Sequence, residues 1–296
     1  MIVAQAQDSL PWAIILPMRR REFLHASLLG AGALARVARA APARAADIVT
    51  LGPDQVKLSR LAMGTGTKGF MKSSAQTRQL GLQGLSDLLR FGFDNGVTFW
   101  DSADAYGSHP HLREALKTVP RDKVVILTKT HAQTAGEMRQ DLERFRKEIG
   151  VDYLDIVLLH AVTRGDWPER LQGAMEALSE AREKKIVRTH GVSCHSLEAL
   201  RTAARTPWVH VDLARINPAG VLMDADPRTV VSVLRQMKAA GKGVIGMKVL
   251  GEGQLRGRVD EMLRFVLGLD CIDCFTIGFE SRQELGDLIR RIPAAA

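Results

Sequence analysis

Phe99-Trp100-Asp101-Ser102-Ala103-Asp104-Ala105-Tyr106-Gly107 begins as a hydrophobic, strand-like run and ends on residues that can move protons. Three other stretches are built the same way: Val125-Ile126-Leu127-Thr128-Lys129-Thr130, Asp155-Ile156-Val157-Leu158-Leu159-His160 and Thr189-His190-Gly191-Val192-Ser193-Cys194. An Asp, a Tyr, a Lys and a His make a proton-transfer site only if the fold brings the strand ends together. Otherwise these are four unrelated strand ends.

The rest of the chain answers that question. Short apolar runs recur at Arg60–Met63, Val97–Trp100, Val124–Thr128, Leu154–Leu159, Thr189–Ser193, Val211–Ile216, Gly243–Met247 and Cys274–Ile277. Helical spacing separates them, as in Leu85, Leu88, Leu89 and Phe93, or Met138, Leu142, Phe145 and Ile149. Pro168 opens a helix, Gly96 and Gly150 close helices, and a last helix covers Glu284–Ile289. Eight strand–helix units over roughly 240 residues predict an α/β fold, a single-domain (β/α)8 TIM barrel. Strands with little polar alternation fit a parallel sheet covered on both faces. The runner-up is a doubly wound sheet, for which Gly64-Thr65-Gly66-Thr67-Lys68-Gly69 is the nearest approach to a dinucleotide turn and is not read as one.

In such a barrel all strand C-termini share one mouth. Asp101, Lys129 and His160 then end three consecutive strands, and Tyr106 leans back from the loop after the first of them. A free tyrosine, with a pKa of about 10, shuttles protons poorly near neutrality. A lysine ammonium beside it is expected to lower that pKa, and Asp101 would keep a buried lysine charged. His160 can hydrogen-bond a substrate oxygen. Trp167 follows His160 in a loop that can line a pocket.

These residues resemble a known family. Phe99–Gly107, Thr128-Lys129 and Leu158-Leu159-His160 are similar to the aldo-keto reductase superfamily, and the likeness extends over about residues 56–291. The resemblance implies a (β/α)8 barrel that binds NADPH, with NADH the other candidate, extended across its mouth. It implies Tyr106 as general acid/base, Lys129 tuning it, Asp101 pairing with Lys129, and His160 orienting the carbonyl of a small-molecule aldehyde or ketone. Nicotinamide contacts carry over to Ser193 and Asn217; Cys194 replaces the usual Asn. The segment Met247-Lys248-Val249-Leu250-Gly251 is expected to line the cofactor, with backbone amides for a pyrophosphate and Lys248 supplying charge. Gly278, Phe279, Glu280 and Arg282 fall near the adenosine end. There Arg282 would meet a 2′-phosphate, whereas Glu280 suits a ribose hydroxyl. A non-catalytic or sensor barrel that retains a nicotinamide is the alternative function. The chain stops soon after its last helix, which predicts an open, permissive mouth.

The net charge of +8 suggests nucleic acid until its distribution is read. Six arginines against Asp8 and Glu22 put about half of it in residues 1–45, and the remainder has no basic run or aromatic–basic interleaving. No nucleic-acid partner is expected. The leader Met18-Arg19-Arg20-Arg21-Glu22-Phe23-Leu24 and the mildly apolar stretch after it resemble a twin-arginine (Tat) export signal. That stretch is too short for a stable membrane anchor. Residues 1–45 are therefore read as a signal handed to the Tat machinery and 46–296 as a periplasmic or otherwise exported barrel, with translation starting at Met18. Of two small-x-small sites, Ala43-Arg44-Ala45 is preferred over Ala38-Arg39-Ala40, because Pro42 crowds a cut after Ala40. The histidines show no zinc-protease spacing, so no metal is expected. Cys271-Ile272-Asp273-Cys274 is read as buried structural thiols rather than a redox or metal pair.

Overall fold

In a computed structural model that describes residues 41–296, eight parallel strands close on themselves. The hairpin β1 (Ile48–Leu51) and β2 (Val56–Ser59) comes first, and the barrel then follows. Its strands are β3 (Leu61–Gly64), β4 (Phe99–Asp101), β5 (Val125–Thr130), β6 (Leu154–Val162), β7 (Val187–Cys194), β8 (Val211–Arg215), β9 (Gly243–Met247) and β10 (Cys274–Gly278). β10 pairs with β3 through Phe275–Leu61 to Gly278–Gly64, which shuts the cylinder. The eight strand runs read from sequence are these eight strands, and the (β/α)8 expectation holds.

Nine helices surround the barrel among the described residues: α1 (Ala75–Asp94), α2 (His109–Ala115), α3 (Ala135–Ile149), α4 (Trp167–Arg170), α5 (Gln172–Glu183), α6 (Leu197–Arg205), α7 (Pro227–Ala239), α8 (Val259–Leu267) and α9 (Arg282–Ala295). Local chemistry sets their ends. Thr134 and Glu137 form a reciprocal capping box at the start of α3, and Gly150 ends it in the left-handed conformation. The core has two compartments, because successive strand residues point in opposite directions. Outward-facing Trp100, Ile126 and Val157 pack with the helices. Inward-facing Phe99, Leu127, Ile156, Leu158, Leu213 and Ile245 fill the cylinder.

The hairpin was not foreseen. Its Leu51, Val56 and Leu58 belong to the inner compartment, and Gly52 abuts the backbone of His210 and Gly243, where β8 and β9 begin. It therefore stoppers the end of the barrel opposite the strand C-termini. A turn ties the preceding segment to the same end. The Arg44 amide donates to the Asp47 carboxylate at 2.7 Å and the Leu61 amide to the Ala45 carbonyl at 3.1 Å. Ala45 is 2% exposed and part of the core. The twin-arginine leader and the Ala38-Arg39-Ala40 site lie outside the described residues. Among the described residues no helix is long and apolar enough to cross a membrane. Cys271 and Cys274 are buried and unbridged.

Candidate active site

The barrel brings Asp101, Lys129 and His160 from three consecutive strands together with Tyr106 from the turn after β4. Lys129 is fully buried, and its ammonium bonds the Asp101 carboxylate, the Ser102 carbonyl at 2.7 Å and the Tyr106 hydroxyl at 3.5 Å. The same nitrogen lies 4.7 Å from the centre of the Tyr106 ring. His160 meets that ring edge-on, with centroids 5.6 Å apart. It stands at a bulge where the register of β6 on β7 shifts, and Ala161 beside it takes a left-handed φ of 54°. A bulge re-aims a side chain at the rim of a barrel, and backbone strain concentrates at such places. Below the cluster, the Thr65 hydroxyl donates to the Asp101 carbonyl at 2.9 Å and shares a hydroxyl chain with Ser108 and Ser102.

The electrostatics differ from expectation at the tyrosine. Lys129 was expected to lower the Tyr106 pKa, yet burial raises it well above 10, and the negative charge of Asp101 adds to the rise. Burial is the larger cause, and Asp101, bonded to Lys129, sets a negative charge beside the lysine's positive one. Tyr106 thus holds its proton through neutrality. Burial lowers Lys129, and Asp101 opposes that, keeping an ammonium in a dry site. His160 is pushed well below the usual histidine range by burial first and then by the Lys129 charge. It is a neutral imidazole at pH 7, and its Nδ1 is buried without a partner among the described residues.

Two glycines seat the tyrosine. Gly64-Thr65-Gly66-Thr67-Lys68-Gly69 does carry Gly-x-Gly-x-x-Gly spacing, but here the glycines serve close approach to a side chain. A Cβ on Gly66 would overlap Cε2 and Cζ of Tyr106, and one on Gly69 would overlap Cδ1, so the ring lies flat against bare backbone. Gly66→Ala should displace the ring, lower carbonyl reduction by about 10²-fold and cost roughly 1–3 kcal/mol of stability. Steady-state kinetics beside urea unfolding would measure both, and unaltered kinetics would remove the seat from the argument.

A groove of about 350 Å³ runs from Asp101 and Tyr106 past the ends of β9 and β10. That is within the usual range for small-molecule and cofactor sites. Of the expected cofactor residues, Met247, Lys248, Val249, Leu250, Gly278, Phe279 and Glu280 line it; Ser193, Cys194, Asn217, Gly251 and Arg282 do not. Ser193 is buried on β7 with its hydroxyl unpartnered among the described residues, as is that of Thr276 in the groove wall. Such orphaned hydroxyls suit a ligand amide or hydroxyl.

The other expected residues are engaged within the protein. The Asn217 amide donates to the Val221 and Lys248 carbonyls at 2.8 and 3.1 Å, and its oxygen accepts the Ala219 and Val221 amides, so all of it goes into shaping the loop. Cys194 packs in the layer between barrel and helices, its thiol pushed up by burial and by Asp212. The amides of Gly251 and Gly253 close turns onto Lys248 and Leu250 at 2.9 Å each. Lys248 pairs with Glu252. The Arg282 guanidinium lies over Phe91 at 5.6 Å.

A second cavity, about 230 Å³, is lined in part by His160. Its wall includes His131, Trp167, Arg164 and Arg170. His131 stacks on His160 at 4.6 Å, a partner the sequence offered only as an unplaced histidine two residues past Lys129.

Comparison with known proteins agrees with this geometry. Residues 62–270 match the family model described as the aldo/keto reductase family. The chain is similar to the probable aldo-keto reductase 1 of Glycine max, 28% identical over 71% of this chain and 61% of that protein. It is also similar to the D-threo-aldose 1-dehydrogenase of a Pseudomonas species, 24% identical over 57% of this chain and 60% of that protein. It thus spans about three fifths of the length of these curated relatives. An aldo-keto reductase structure from Klebsiella pneumoniae in complex with NADPH shares the fold. It has a TM-score of 0.65 and 22% identity, over 83% of this chain and 90% of that one. A family model matched over more than half the chain, on a barrel with this mouth, places the protein in the aldo/keto reductase family.

Proposed function

We propose that this protein is an NAD(P)H-dependent oxidoreductase that reduces an aldehyde or ketone to an alcohol, with Tyr106 as the proton donor. One observation carries the reading. A protonated Tyr106 hydroxyl sits 3.5 Å from a buried ammonium in the wall of a cofactor-sized groove, and its ring meets His160, which lines a second cavity. A reduced nicotinamide, when bound, supplies hydride to the carbonyl carbon. The protein's own residues handle the oxygen. Tyr106 gives its phenolic proton to that oxygen, and the phenolate left behind is stabilised by Lys129. Asp101 holds Lys129 charged and aimed. Neutral His160 offers a ring N–H to orient the carbonyl without competing for the proton.

The charge around the groove favours NADH over the NADPH that the resemblance implied. Glu280, Glu284 and Asp287 line its far end, while Lys248 is taken by Glu252 and Arg256 is the remaining lining cation. A 2′-phosphate there would meet carboxylates, whereas a ribose hydroxyl would find acceptors. With a model aldehyde and each cofactor in turn, kcat/KM for NADH is expected to exceed that for NADPH by about tenfold or more. A preference for NADPH would reverse the assignment, and no turnover with either would overturn the reductase reading. The export reading of the leader is a proposal that rests on its sequence.

A further inference from the structure

Behind the catalytic strand ends, on the outer face of β5, a polar network joins the two residues that must sit at a fixed separation. Thr128 and Thr130 flank Lys129, and alternation turns their side chains away from the barrel interior. The Thr130 hydroxyl donates to Asp141 on α3. Thr128 is bonded to His109 Nε2 at 2.8 Å, and His109 Nδ1 to Glu148 on α3 at 2.7 Å. His109 is buried against Phe145, so this link is fixed in place.

Both arms end on Arg144. Its guanidinium donates to Asp141 at 2.6 Å and to Glu148 at 3.0 Å. It also donates at 2.6 Å to Asp104, the first residue of the short turn that delivers Tyr106. One planar fork therefore bonds the strand of Lys129, through two carboxylates, and the turn of Tyr106, through a third. Asp104, His109 and Glu148 have ligand atoms within 4.8 Å of one another, a spacing that suits a metal ion. Here Arg144 and Lys72 already supply the cations, and both nitrogens of His109 have partners.

We infer that Arg144 is a positioning residue, which sets the distance between the Tyr106 hydroxyl and the Lys129 ammonium from outside the barrel wall. The inference rests on the reductase reading given above. Arg144 lines neither cavity, so its hydrogen bonds reach the reacting residues through Asp104 and β5. A lysine cannot replace it fully, because three carboxylates need the fork of donors that guanidinium provides.

The test pairs Arg144→Gln with Arg182→Gln, which breaks a comparable ion pair to Asp54 at the stoppered end. Arg144→Gln is expected to lower kcat by about 10- to 100-fold while KM for the nicotinamide cofactor changes little. It should also move the alkaline limb of the pH profile, and Arg144→Lys should recover part of the loss. Glu148→Gln, which weakens one arm, carries the same readouts if Arg144→Gln does not fold. The chain has two tyrosines, so a carbon-13 label at tyrosine Cζ gives two signals that Tyr106→Phe assigns. The Tyr106 signal should shift in Arg144→Gln and stay in place in Arg182→Gln. The inference is overturned if that signal and the alkaline limb do not move, or if Arg182→Gln moves them equally. A wild type with no turnover refutes the reductase reading separately, because the tyrosine signal needs no turnover.

Discussion

Tyr106→Phe is expected to lower carbonyl reduction by about 10²- to 10⁴-fold, the usual contribution of a positioned general acid. The substitution keeps the ring that lies against Gly66 and Gly69, so fold and cofactor binding should be unchanged. The loss belongs in kcat. The wild type carries a matching pH signature. Because burial and Asp101 raise the tyrosine, the donor is protonated across neutrality, and reduction should be flat there and decline only well into the alkaline range. Alcohol oxidation needs the phenolate as base, so its rate should climb with pH over the same range. Stopped-flow or steady-state profiles in both directions would show this. A Tyr106→Phe protein that keeps more than a tenth of the rate would remove Tyr106 from its role.

Lys129→Met should be the most damaging single change to stability near the mouth. Lys129 and Asp101 are a buried, directly bonded pair. Removing the cation strands a carboxylate in a site built for two charges, at about 3–5 kcal/mol. Denaturant unfolding at pH 7 measures it. The double variant Lys129→Met with Asp101→Asn should recover most of the stability, since a neutral amide replaces the stranded charge. It should not recover activity, because the phenolate formed on proton transfer would still lack its counter-charge. Recovery of both together would mean that the pair serves only the fold.

The barrel and the catalytic cluster were legible because both are written in local order. Each strand is a continuous apolar run, and Asp101, Lys129 and His160 are fixed by the C-terminal parts of the strands that carry them. What the sequence concealed depends on partners far along the chain. Gly66 and Gly69 precede Tyr106 by 40 and 37 residues, so nothing in their spacing pointed to the ring that packs against them. The hairpin strands β1 and β2 are four residues each, with too few alternations to register. The direction of the Tyr106 shift was misread because burial of the hydroxyl, which the sequence does not show, raises it first, and the charge of Asp101 adds to the rise. Asn217 looked available for a ligand, and only its four hydrogen bonds show that the loop uses it.

The turn at residues 44–47 bears on the order of events in the life of the chain. A processing protease needs an extended, accessible strand of substrate. Ala45 offers neither once the barrel has closed, because its carbonyl is held by Leu61 and its side chain is inside the core. On the proposed export reading, a leader removed from the already folded protein would have to be cut upstream of Arg44. A cut after Ala45 belongs to a chain that has not yet folded. On the proposed export reading, an N-terminus at Ala46 would mean that the leader was removed before the barrel closed.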